Sequence, residues 1–110
     1  MEINAVSSNI LIASQRIEKA TRNIYKLAKD KANAEYEYRQ ALGEEIARLK
    51  ADGTSVSIIG DMARGNVAEL KLKRDMADVM YKSAIESLRA IQSELSALQS
   101  VGRWQSEVGG

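Results

Sequence analysis

Residues 67–98, VAELKLKRDMADVMYKSAIESLRAIQSELSAL, decide the fold. Val67, Arg74, Tyr81, Leu88 and Leu95 are seven apart, and Leu70, Ala77, Ala84, Ile91 and Leu98 form a second set of seven. The sets alternate at spacings of three and four, the period of an apolar seam on a helix that packs along another helix. Only Arg74 is charged among these ten residues. Upstream, Ile3, Ile10, Ile17 and Ile24 repeat every seven residues, with Val6, Ala13, Ala20, Leu27, Ala34 and Ala41 between them. Lys31 interrupts that seam, Tyr38 resumes it, and it then slips by one position to Leu42, Ile46 and Leu49. Such a slip locally changes the supercoil.

Between the two seams lies Ala51-Asp52-Gly53-Thr54. Gly53 suits a helix C-terminus and Thr54 or Ser55 the next N-cap. The expected architecture is all-α: a first helix over about 3–50, a turn over about 51–55 and a second helix over about 56–101. Gly60 and Gly65 weaken the start of the second helix, so a kink near residue 65 is the alternative to one continuous rod. Gly102 ends the pattern, and residues 102–110, GRWQSEVGG, read as a polar tail. Two long helices joined by a short turn lie antiparallel to bury both seams, as a coiled-coil hairpin. The core of a lone hairpin is thin for its length, which favours pairing of two copies into a four-helix bundle.

Composition agrees with long helices. The 110 residues contain no proline, and Ala, Leu, Glu, Lys, Arg and Gln are abundant. Cysteine and histidine are absent. That removes thiol nucleophiles, histidine general bases and Cys/His zinc sites. Glu44-Glu45 and Asp75/Asp78 are the acidic groupings, and the Glu-x-x-His element usual in helical di-metal sites is missing. No enzyme activity, cofactor or metal is expected. The net charge of +1 gives no global pull toward nucleic acid or membrane. No apolar run approaches the ~20 residues of a membrane span. The start, MEINAVSSNILIASQRIEK, lacks a basic leader, so the expected location is the cytoplasm. Gly60-Asp61-Met62-Ala63-Arg64-Gly65 has the glycine spacing of a phosphate loop, but Asn66-Val67 stand where Lys-Ser/Thr is needed and no strand precedes it.

Three features point outward from the seams. Leu72, Met76 and Val79 fall on the side of the second helix opposite its seam, with Met80 beside them. An apolar row on the wet side of a helix marks an interface, either with a second copy or with a partner protein. Arg16, Lys19, Arg22, Lys26 and Lys29, three or four apart, make a positive flank on the first helix. It reads as a solvated face, or as a track for a phosphate backbone. Lys31 and Arg74 are the cations inside the seams. With the turn near Gly53, Lys31 falls near Asp75 and Asp78, and Arg74 near Glu35 and Glu37. Charged layers of this kind fix register between helices.

The stretches YKLAKDKANAEYEYRQAL, EEIARLKADGTSVSIIGDMARGNVAELKLKRDMADVMYKSA and SELSALQS resemble small helical-hairpin accessory proteins encoded by temperate phages and prophages of Gram-positive bacteria. The resemblance covers most of residues 25–100. It implies a context among early phage genes, near replication and recombination functions, and it brings no catalytic residues. Secreted helical hairpins of similar length carry a Trp-x-Gly turn, whereas this turn is Asp52-Gly53-Thr54 and the sole tryptophan is Trp104. The expected role is an accessory protein that binds a host or phage protein through its helical surface, as modulator or inhibitor. The alternative is a nucleic-acid-binding accessory of phage replication or recombination that uses the basic flank.

Overall fold

The computed structural model describes residues 2–109. Among these residues the protein is all-helical: α1 spans Ile3–Ala51, α2 Val56–Asn66 and α3 Ala68–Gly109. α1 ends where Gly53 takes a positive φ of 79°, a conformation that costs an L side chain roughly 1–2 kcal/mol and glycine almost nothing. The Thr54 amide donates to the Leu49 carbonyl and the Gly53 amide to the Lys50 carbonyl, which satisfies two of the carbonyls in the last turn of α1. Ser55 is the N-cap of α2 by position, but its hydroxyl makes no capping bond and pairs with Ser57 instead. The break between α2 and α3 falls at Val67, where φ is −111° and ψ 21°, two residues beyond Gly65.

The chain divides into two compact units that share α1 and α3. The second unit is Leu27–Tyr81. Its core is Leu49, Ile59 and Ala63, with Leu42 and Ile46 packed against them, so α2 is held on the end of α1 by the slipped part of the first seam. Leu27, Ala34 and Tyr38 continue the buried line along α1. Asn66 donates to Glu45 at 2.7 Å and ties the end of α2 to α1. Lys73 reaches Glu37 at 2.8 Å, so the start of α3 lies against α1.

The first unit joins the chain up to Lys26 to the chain from Lys82 onward. Val6, Ala13 and Ile91 are its buried side chains, flanked by half-buried Ile10, Ile17, Leu88, Leu95 and Leu98. Ile3 shares the heptad spacing but is 53% exposed, because it opens α1 and has a helical turn on one side only. Arg16 pairs with Glu94 at 2.9 Å across the two helices.

One sequence expectation is corrected here. Gly102 does not end the helix: residues 102–109, read from the sequence as a polar tail after the second helix, continue α3 to Gly109. The half-buried positions continue through Leu98, Gly102 and Gln105, still three or four apart. A methyl group at residue 102 would meet Val6 Cγ1 at 3.3 Å. Glycine therefore serves there as a seam residue that lets α3 pass close to Val6.

Candidate helical docking surface

The seam of α3 at Leu70, Arg74, Ala77 and Tyr81 is half-buried against α1 within the second unit. Helical geometry then turns Leu72, Met76, Val79 and Met80 away from it, and each is more than half exposed. Leu72, Met76 and Met80 border a hollow of about 540 Å³ between α1 and α3, floored by Leu27, Ala34 and Ala77. Val79 is not part of its lining. The sequence spacing grouped Val79 with Leu72 and Met76, whereas the hollow groups Met80 with them. Three carboxylates stand around this apolar floor: Asp30, Glu37 and Glu69. Lys73 neutralises Glu37, while Asp30 and Glu69 have no cation partner among the described residues. The hollow is apolar inside and negative at its rim.

Lys31 and Arg74 form a reciprocal layer in the same unit. Lys31 Nζ lies 3.4 Å from Asp78 Oδ1 and 5.1 Å from the centre of the Tyr81 ring. The Arg74 guanidinium donates to Asp75 at 2.9 Å, stands 3.6 Å from Glu35 and lies 4.4 Å above the Tyr38 ring. Each helix thus places a cation over a tyrosine of the other. The hydrogen bond to Asp75 and the nearby Glu35 carboxylate raise the Arg74 pKa further above its ordinary value. Asp75, a neighbour on the same helix, was not among the partners the sequence placed beside Arg74. Spacing between two helices registers partners across them and not a neighbour on the same helix.

The basic flank is partly neutralised. Arg16 is held by Glu94 and Arg22 by Glu18 at 3.0 Å. Lys19, Lys26 and Lys29 are exposed, with no carboxylate partner among the described residues. The phosphate-loop-like glycines fall inside α2, where Arg64 pairs with Asp61 at 2.6 Å, so no loop is present to cradle a phosphate. Among the described residues no group of three acidic side chains could hold a metal, and no helix is long and apolar enough to cross a membrane.

A second exposed apolar set lies near the end of α3. Val101, Trp104 and Val108 are exposed there, with Trp104 at 63%. Trp104 and Val108 fall in the expected polar tail and Val101 at the last position of the expected second helix, so the expected boundary hid this surface. The continuing three-four spacing through Leu98, Gly102 and Gln105 was the signal that could have revealed it. No known protein family, curated protein or solved structure matches this chain.

Proposed function

We propose that this chain is a non-enzymatic phage accessory protein, active in the host cytoplasm, that binds a host or phage protein through its helical surface and modulates or inhibits it. The observation that carries this reading is the hollow bordered by Leu72, Met76 and Met80 and rimmed by Asp30 and Glu69. Methionines give an adaptable apolar floor, and the rim favours a partner with a basic edge. Helix-in-groove docking uses anchors three, four and seven residues apart, a pattern this surface can accept. The phage context rests on the resemblance of residues 25–100 alone. In this proposal α1 and the α2–α3 arm form one antiparallel hairpin, hairpins pair into a four-helix bundle, and the Lys31/Arg74 layer sets the register between helices.

Capture from a bacterial host extract tests the proposal, with Met76→Glu as control. The expected result is a protein retained by the wild type, lost with Met76→Glu, and bound again when both purified proteins are mixed. Retention that is indifferent to Met76→Glu would overturn it.

A second reading is favoured by the unpaired Lys19, Lys26 and Lys29 on α1. In it the basic flank follows the phosphate backbone of a nucleic acid, in an accessory role in phage replication or recombination.

A further inference from the structure

The hollow beside Met76 carries its charges in an order that specifies an occupant. Lys73 pairs with Glu37 and Asp78 with Lys31, so residue numbers fall along α1 as they rise along α3. Asp30, seven residues before Glu37, therefore stands level with Met80. Glu69 lies one helical turn before Lys73, at the opposite end. The two carboxylates of the rim that have no cation partner among the described residues thus mark the two ends of the hollow. Asp30 stands on the α1 wall and Glu69 on the α3 wall. From Glu69 to Met80, α3 rises about 16 Å at ~1.5 Å per residue. Between these ends Lys73 balances Glu37, and Leu72 and Met76 stand beside the floor of Leu27, Ala34 and Ala77. We infer that the occupant of this hollow is an amphipathic helix of the partner protein, about three turns long, with an apolar row over the Met76 floor and a basic residue near each end, one on either flank. This inference rests on the docking reading given above and adds the chemistry of the partner.

A helix satisfies its own backbone hydrogen bonds, so it can lie on an apolar floor without stranding an N–H or C=O group. An extended peptide needs a sheet edge to take up those groups, and the walls of this hollow are helices. The hollow of about 540 Å³ receives the anchoring side chains while the body of the docked helix lies across its mouth. Anchors spaced three and four apart follow the length of the floor, and the thioethers of Met76 and Met80 adjust to their shapes. One flank of the docked helix faces α1 and the other α3. A basic residue on each flank meets Asp30 and Glu69, whereas an acidic residue at either place is repelled. Both carboxylates are exposed, so their contribution is chiefly selectivity and is screened by salt.

The probes are two labelled synthetic peptides, each cross-linked into a helix about four turns long. Both carry a row of leucines spaced four then three. One has an arginine at each end of the row, on opposite flanks, and its twin has glutamate at the same places. Binding to the full chain is read by fluorescence anisotropy. The arginine peptide should bind roughly tenfold tighter than its twin, and the margin should shrink as salt rises. Asp30→Asn combined with Glu69→Gln should erase the preference at unchanged helicity, since both carboxylates are exposed. Glu86→Gln, at a carboxylate that pairs with Arg89 outside the hollow, should leave the preference intact. Equal binding of the two peptides, a preference that survives the double variant, or binding of neither peptide would overturn the inference. So would a dimer of this chain that Met76→Glu dissociates and that shuts out both peptides, because a second copy would then fill the hollow. The docking reading fails separately. Capture from host extract that is lost with Met76→Glu supports it whatever the peptides do, and capture indifferent to Met76→Glu sinks it even where the arginine peptide binds.

Discussion

Glu45 accepts hydrogen bonds from Arg48 and from Asn66, and these hold its carboxyl below the usual carboxylate range. A carboxylate whose folded pKa is lowered stabilises the fold above its unfolded pKa, and the contribution disappears as the pH falls through the folded value. The melting temperature is therefore expected to drop on acidification below about pH 4–5, the ordinary carboxylate range. Glu45→Gln should lower it at neutral pH and flatten the acid limb; parallel profiles for the two proteins would contradict the assignment. Gly102 makes a second residue-level prediction. A leucine there drives a large side chain into Val6, so Gly102→Leu should destabilise by about 1–3 kcal/mol in urea unfolding, the usual cost of overpacking. The same change in an irregular tail would be neutral.

At the level of elements, the seams were legible in the sequence because most seven-residue steps keep an apolar residue on one face, Lys31 and Arg74 being the charged interruptions. Leu27, Ala34, Tyr38 and Leu49 are buried where α1 needs them, and Ile91 where α3 does. The end of α3 was not legible, since Gly102 serves equally as a helix stop and as a close-approach residue, and only the position of Val6 separates these roles. The Met76 row could be read from periodicity. The hollow it borders could not, because its floor comes from Leu27 and Ala34 on another helix. Lys31 and Arg74 could be placed beside carboxylates, but the stacking on Tyr81 and Tyr38 depends on side-chain directions that spacing does not fix. This layer carries the element-level prediction. Arg74→Leu replaces a half-buried ion network with apolar surface and should raise the melting temperature while broadening the sedimentation profile, as alternative registers become accessible. A higher melting temperature with an unchanged profile would remove register control from the account.

For the whole molecule, the question is which outward surface carries function. The basic flank has a net charge that Glu94 and Glu18 already reduce, and the chain as a whole carries +1. If Lys19, Lys26 and Lys29 track a phosphate backbone, binding of single- or double-stranded DNA should weaken with salt at a log–log slope of roughly −2 to −3, as three contacts would give. Absence of binding at low salt would remove that reading. The Met76 surface makes a sharper claim. Besides Met1, the methionines are Met62, Met76 and Met80, so methyl-labelled methionine samples α2 and the hollow separately. The most direct measurement is a methionine-methyl NMR titration of the protein with the partner captured from host extract. The Met76 and Met80 signals should shift while Met62 stays in place. Shifts confined to Met62, or none at all in a complex that demonstrably forms, would contradict it.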